Sequence, residues 1–365
     1  MKRLLIYFAS IIILSLLPGK SFAHQPPLEQ PRTLIYQIFT DRNKPMQIVG
    51  DLTPMHWAAL SPGERFLYTE RLNEQTQQFS YYVFDFVQKQ FTRITGEGKW
   101  FPRQDRFIIK KGNVLASYDP IAKTETVLLE VEQGRQIIDF AVAPDEKRLA
   151  YLATAGKDAE GKALVQLYVQ NLSSLEQTLV DTFTDTRPWT SKYHNRENLY
   201  WLPTSGKLFY FADQIMGEKR AHKVKQWDRE SGEIFLTAFP QFPSYSPDME
   251  IQVGFKDNVM LWKDPTGQTI SLGEGSRMQT IQWAPAGHAV VGIQGFGALA
   301  AGWDEKIGIR YQDAAKHFYM PGIYEGTDFR KLQDNFRFIG WAKDGKSFYV
   351  ADLAPIPGEW YHRLP

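Results

Sequence analysis

The chain has 365 residues, with 42 Lys and Arg against 41 Asp and Glu, 14% aromatic side chains and no cysteine. The missing cysteines exclude disulfides, a thiol nucleophile and lipid attachment at an N-terminal Cys, and the balanced charge lacks the basic footprint of a nucleic-acid or anionic-membrane binder. A chain this long can bury its own core, as one large repeat fold or two ordinary domains.

The N-terminal stretch MKRLLIYFASIIILSLLPGKSFA places Lys2 and Arg3 ahead of an apolar run from Leu4 to Leu17, then Pro18, then Ser21 and Ala23 around Phe22. That order reads as a cleaved signal peptide over 1–23, with His24 as the first mature residue. An uncleaved anchor is the alternative, and the run falls short of the roughly 20 residues that span a bilayer. No later segment is apolar enough to cross one, so a soluble periplasmic protein is expected, or failing that a secreted one. Without Lys2, Arg3 and Lys20, 39 basic residues face 41 acidic ones, a formal balance of −2. Residues 24–33 read as a flexible lead.

From there one phrase recurs. LSPGERFLY, VAPDEKRLAY, WLPTSGKLFYF, YSPDMEIQV, WAPAGHAVV and WAKDGKSFYV each set a tight turn before a β-rich run. The turn positions are Pro62, Pro102, Pro144, Pro203, Pro247, Pro285 and Lys343, at gaps of 40, 42, 59, 44, 38 and 58 residues. A period near 40 marks a propeller blade or a solenoid repeat. Two positions before the turn stands Trp100, Trp201, Tyr245, Trp283 or Trp341, with Leu60 and Val142 in the remaining units. A second phrase follows the first, as in YYVFDFVQKQFTRIT and KVKQWDRESGEIFLT, and reads as two more strands about a polar turn. Each unit thus has four strands, and helical periodicity is absent.

The last unit, from Phe338 to Asp352, lacks its second phrase, while LIYQIFTDRNKPMQIV stands unmatched at the front. The N-terminal hairpin over 34–49 is therefore expected to pair with 338–352 and complete the final blade, because a closed ring leaves no unpaired edge. The expectation is an all-β, seven-bladed propeller of four-stranded antiparallel blades over 34–353, with a tail over 354–365.

The SPGERFLY, APDEKRLAY and AKDGKSFYV phrases resemble the W-S-P-D-G-K-x-I-A-F repeat of the TolB-type propellers, relatives of the WD-repeat superfamily, over Leu34 to about Asp352. The resemblance implies the fold. TolB also carries an N-terminal α/β domain, for which residues 24–33 leave no room. Propellers serve as scaffolds, lectins, lactonases, lyases and peptidase subunits, so function must be read from a site.

Insertions in the second-to-third-strand connections (Thr154–Val165, Asp213–Lys223, Gly295–Lys306) and between blades (Thr184–Trp201, His317–Phe338) all belong to one face of such a disc. Long connections on a rigid scaffold are where binding concentrates. The two inter-blade insertions supply Arg187, Trp189, Tyr193, Arg196, Tyr319, Tyr324, Asp328 and Arg330, the aromatic and Arg types that dominate recognition surfaces. These residues are expected to bind a protein, peptide or glycan, with the chain a monomer. No G-x-S-x-G elbow, H-E-x-x-H helix, P-loop or EF-hand loop occurs. GFGALAAG has the wrong spacing for a dinucleotide and reads as a flexible loop. Seven scattered histidines (His24, His56, His194, His222, His288, His317, His362) suggest no metal set, and no cofactor is expected. The alternative is an enzyme, a lactonase, lyase or glycoside-acting hydrolase, using His194, Glu197, His317 or Glu325 at the channel mouth.

Overall fold

The computed structural model describes residues 32–39, 44, 47–73, 75–76, 78–184, 198–216, 219–237, 242–256, 259–263, 266–274, 278–285, 290–298, 302–313, 316–319 and 336–352. The signal and lead segments and the tail lie outside them, apart from Arg32 and Thr33.

Among the described residues every regular element is a strand. The chain begins with a hairpin, β1 (Thr33–Phe39) and β2 (Gln47–Leu52). A first sheet follows, of β3 (Trp57–Leu60), β4 (Phe66–Asn73), β5 (Gln78–Asp85) and β6 (Gln90–Ile94). The second holds β7 (Glu97–Trp100), β8 (Phe107–Lys111), β9 (Val114–Asp119) and β10 (Thr124–Glu130), and the third β11 (Ile137–Val142), β12 (Arg148–Lys157), β13 (Ala163–Asn171) and β14 (Gln177–Thr184). The fourth comprises β15 (Leu199–Trp201), β16 (Lys207–Met216), β17 (Lys219–Asp228) and β18 (Ile234–Leu236). The fifth has β19 (Ser244–Tyr245), β20 (Gln252–Lys256), β21 (Val259–Lys263) and β22 (Thr269–Glu274). In the sixth are β23 (Met278–Trp283), β24 (Val290–Ala298), β25 (Gly302–Asp313) and β26 (Lys316–Tyr319). The last two strands are β27 (Phe336–Trp341) and β28 (Ser347–Asp352).

Six of these sheets are antiparallel meanders in chain order, and the seventh runs β2-β1-β28-β27, so the N-terminal hairpin supplies half of the sheet that the C-terminal strands begin. β1 lies antiparallel to β28 from Ile35↔Ala351 to Phe39↔Ser347, and Gln37 Nε2 donates to Ser347 Oγ at 2.8 Å across the same seam. The fold is a β-propeller of four-stranded antiparallel sheets.

Two turn chemistries repeat. At the first-to-second-strand turn, the residue after the marked aromatic position donates its N–H five residues ahead, as in Ser61 to Phe66 O (2.8 Å) and Ala143 to Arg148 O (2.8 Å). This leaves Glu64, Glu146, Ser205 and Met249 at φ of 56–66°, where Gly345 stands in the last turn. A non-Gly residue there costs about 1 kcal/mol or more. At the third-to-fourth-strand turn an Asx side chain accepts the next two free N–H groups: Asp85 from Val87 and Gln88, Asp119 from Ile121 and Ala122, Asn171 from Ser173 and Ser174, and Asp228 from Glu230 and Ser231. Asp and Asn favour such turns for this reason.

The left-handed positions have a second use, because their side chains reach the turn of the preceding sheet. Glu64 accepts from Lys343 N (2.7 Å) and the Tyr349 hydroxyl (2.7 Å), Glu146 from Arg103 N (2.7 Å), and Ser205 Oγ from Asp145 N (3.0 Å). Gly63 N is held by Asp105 at 2.7 Å in the same manner. The marked tryptophans join the sheets deeper in. Trp100 Nε1 donates to Ala59 O (2.8 Å), Trp201 Nε1 to Ala141 O (3.1 Å), Trp283 Nε1 to Ser244 Oγ (2.8 Å) and Trp341 Nε1 to Gln282 O (3.1 Å). Each acceptor stands one residue before the marked position of the previous sheet, so the repeated aromatic is a structural fastener. In the first sheet Leu60 takes that place, and its acceptor-side neighbour is Gly340, where an added Cβ would come within 2.8 Å of Leu60 Cβ.

Between sheets the core is aromatic and aliphatic. Phe66, Tyr68 and Phe107 pack with Val83, Ile94 and Ile109 between the first two sheets, Tyr68 and Phe107 with ring centroids 4.6 Å apart. Each fully buried ring contributes on the order of 2 kcal/mol.

Gly340→Ala is expected to destabilise by about 1–3 kcal/mol through overpacking against Leu60. Denaturant midpoints of Gly340→Ala, Leu60→Gly and the double variant should show the double variant less destabilised than the sum of the singles, because only glycine at 60 removes the Cβ that the new methyl meets. Strict additivity would mean that the two side chains do not meet.

Candidate functional site

The first strand of every sheet enters from the end where successive sheets are connected and leaves through the turn that carries the repeated phrase. The entry ends of β7, β11 and β15, and the residues beside them, form a polar chain. Lys99 on β7 donates to Asp139 Oδ1 at 2.8 Å and to Phe140 O at 3.0 Å. Asp139 Oδ2 accepts both the backbone N–H and the side-chain amide of Asn198, each at 3.1 Å, and its Oδ1 also takes Phe140 N at 2.7 Å. Asn198 closes the inter-sheet connection over 185–197. One carboxylate thus ties the second, third and fourth sheets and pins the end of that connection.

Asp139 is buried while Lys99 reaches solvent, at 11% and 43% side-chain exposure. Burial by itself would raise the Asp139 pKa. The Lys99 charge and the hydrogen bonds from Lys99 and Asn198 outweigh it and leave the carboxyl below its ordinary value.

Neighbouring groups are satisfied in the same way. Lys110 pairs with Glu97 at 2.5 Å and donates to Ile138 O at 3.1 Å. The Tyr68 hydroxyl donates to buried Glu70 at 2.5 Å. Burial first, then the Glu70 charge and hydrogen bond, push the Tyr68 phenol far above its usual range. Arg135, in the connection before β11, donates to Thr154 O at 2.7 Å and to Gln166 at 2.8 Å. Between the third and fourth sheets Asp181 accepts from Lys225 at 2.7 Å and from the Tyr210 hydroxyl at 2.6 Å. Among the described residues no group of three or more His, Asp or Glu is placed to hold a metal ion. The ion pairs and hydrogen bonds themselves orient and fasten strand ends.

Several expected site residues have no described position. Arg187, Trp189, Tyr193, His194, Arg196 and Glu197 lie outside the described residues, as do Tyr324, Glu325, Asp328 and Arg330. His317 and Tyr319, expected within an insertion, stand on β26, paired with Gln312 and Arg310. The insertion after the sixth sheet is shorter by those residues and by Phe336–Phe338 of β27. His56, one of the scattered histidines, accepts Leu72 N through Nδ1 at 3.0 Å and so braces the entry to β3.

The second-to-third-strand insertions also differ from a loop reading. β12 and β13 stay paired out to Lys157↔Ala163, β16 and β17 to Met216↔Lys219, and β24 and β25 to Ala298↔Gly302. GFGALAAG is mostly hairpin. Cross-strand pairing satisfies the backbone groups of a long excursion, which an irregular loop leaves to water. Sequence reading also missed Lys99, Asp139 and Asn198. The available signal was an Asp inside the apolar strand IIDFAV.

No family model matches the chain, and no curated protein matches it. Solved structures similar in fold include the putative TolB from Agrobacterium tumefaciens (12% identity, 89% of this chain and 99% of that one, TM-score 0.45). A chain of the mitotic checkpoint complex (14%, 73% and 76%, 0.45) and oligogalacturonate lyase from Vibrio parahaemolyticus (11%, 70% and 89%, 0.39) are further examples. The likeness is one of fold.

Asp139→Asn removes the charge that Lys99 and Asn198 converge on, at an expected cost of about 2 kcal/mol at neutral pH. A carboxyl with a depressed native pKa stabilises fully above about pH 4 and loses that contribution as pH falls through the native value. Urea midpoints at pH 7, 5 and 3.5 should show the gap between wild type and variant narrowing at the lowest pH. A constant gap would show that the charge contributes nothing.

Proposed function

We propose that this protein is an exported, periplasmic, monomeric binding propeller whose connection-rich end receives a protein, peptide or glycan partner without performing chemistry on it. The observation that carries the reading is the one-sided distribution of the extra chain. The elongated hairpins β12/β13, β16/β17 and β24/β25 turn at the end opposite the repeated turns, and the strand ends that flank residues 185–197 and 320–335, at Thr184, Asn198, Tyr319 and Phe336, lie at that same end. The polar chain beneath that end holds Asn198, where one of those connections ends. The domain division follows from the same reading: a signal over 1–23, a lead over 24–33, the propeller over 34–353 and a tail over 354–365. Arg187, Trp189, Tyr193, Arg196, Tyr319, Tyr324, Asp328 and Arg330 are the residues assigned to recognition. No helix among the described residues is long and apolar enough to cross a membrane.

Photo-crosslinking from position 190 or 326 in living cells, followed by mass spectrometry, should yield one dominant partner adduct. Combining Trp189→Ala, Tyr193→Ala and Tyr324→Ala should reduce it at least about tenfold, since a recognition aromatic typically contributes 2 kcal/mol or more. Unchanged adducts from a variant with an unaltered circular dichroism spectrum would overturn the reading. Intact mass should place the mature N-terminus at His24. A full-length mass would remove the export step.

A further inference from the structure

The fourth sheet ends in an outer edge unlike its counterparts. β18 pairs with β17 as Lys225↔Leu236, Gln226↔Phe235 and Trp227↔Ile234. The ladder continues past both ends of the strand, through Asp228 N to Glu233 O (2.9 Å) and Thr237 N to Val224 O (3.0 Å). In an antiparallel pair, residues bonded to the partner strand alternate with residues whose N–H and C=O point away from it. Glu233, Phe235 and Thr237 are therefore the inward residues. Ile234 and Leu236 each turn an N–H and a C=O outward, where the fourth sheet has no further strand.

The side chains on that edge are apolar and open to solvent: Ile234, Phe235 and Leu236 are 38%, 46% and 51% exposed. Ile234 and Leu236 stand opposite Trp227 and Lys225, on the face where Trp227 is buried against the third sheet and Lys225 meets Asp181. Phe235 lies on the other face. Each remaining sheet has a charged residue on its outermost strand: Asp51 on β2, Arg93 on β6, Glu125 on β10, Asp181 on β14, Glu274 on β22 and Lys316 on β26. Register shifts also break the pairings of β2, β10, β14 and β22 with their neighbours. Charges and bulges are the devices that keep an open edge from recruiting another strand. β18 has neither, and it has no proline. The turn that opens it exposes two carboxylates, Glu230 and Glu233, against one guanidinium, Arg229, while Asp228 is held by Lys207 at 3.5 Å.

We infer that the outer edge of β18 docks an extended segment of a partner protein, which joins the fourth sheet as a fifth strand. The occupant is a peptide because a backbone in β conformation supplies C=O and N–H groups at the spacing that the outward groups of Ile234 and Leu236 require. Its side chains alternate between the two faces. Apolar ones cover Ile234 and Leu236 on one side and Phe235 on the other, removing exposed apolar surface from water. A Lys or Arg stands where the segment passes Glu233, since opposite charges on neighbouring strands attract. This surface is on the outer rim, and the inference is independent of the partner proposed for the connection-rich end.

The probe is a fluorescently labelled, amidated peptide, Lys-Val-Thr-Val-Thr-Val-Lys, titrated against the full mature chain by fluorescence anisotropy. Wild type should bind it saturably, one peptide per chain. Two further peptides are N-methylated, one on its Val amides and the other on its Thr amides. One of the two sets faces β18, so these peptides should differ in affinity at least about tenfold, the loss of main-chain hydrogen bonds. Leu236→Pro removes an outward N–H and spares the inward bonds of Phe235 and Thr237, a position where an edge strand tolerates proline. It should weaken the parent peptide at least about tenfold while the circular dichroism spectrum is unchanged. Glu233→Lys should also weaken it, and the effect should shrink as salt is raised. If Leu236→Pro fails to fold, the methylated pair on wild type decides the matter. Absence of saturable binding, equal affinities for the two methylated peptides, or full affinity in a folded Leu236→Pro would each overturn the docking site. A concentration-dependent dimer that Leu236→Pro dissolves would assign the edge to a second copy of the chain and overturn the peptide reading.

Discussion

Everything in this molecule leans on the pairing of β1 with β28. Residues more than 300 positions apart in sequence form one antiparallel ladder, from Ile35↔Ala351 to Phe39↔Ser347. Without it β27 and β28 would be a two-stranded remnant, β1 and β2 an isolated hairpin, and neither is stable alone in water. With it the seventh sheet is as wide as the others and offers the first sheet a full face. The chain has no disulfide to do this work. Hydrogen bonds and packing across that one seam replace a covalent staple.

The neighbouring junctions use a shared vocabulary. A first-strand indole reaches back to the preceding sheet, and a turn residue in left-handed conformation reaches back to the preceding turn. The backbone cost at Glu64, Glu146 and Ser205 is offset by the bonds their side chains make across the junction. Asp139 repeats the logic with charge, holding Lys99 from one side and Asn198 from the other.

The architecture was legible because a propeller repeats its local chemistry. Pro62, Pro144 and Pro203 mark the turns, and the aromatics at Trp100, Trp201, Trp283 and Trp341 mark the strands before them. The purpose of those aromatics was not legible, since their acceptors lie a whole sheet away and are backbone carbonyls in three cases and a lone Ser244 hydroxyl in the fourth. The hairpins of β16/β17 and β24/β25 were hidden for another reason. Polar and Gly-rich stretches such as DQIMGEKRAHK and GFGALAAG carry weak β-propensity, and strand pairing there comes from continuing a register already set below. At the candidate site the sequence singled out residues by type, and type alone does not say which side chains meet.

The seam also has a temporal side. Of the described strands, β1 is made first and β28, the strand it pairs with, is made last. Throughout synthesis the early hairpin keeps one bare edge, the kind of surface that recruits stray strands. The slowest event in acquiring this shape is therefore expected to be the return of that hairpin to the far terminus, and any factor that shields an open strand would act during that wait.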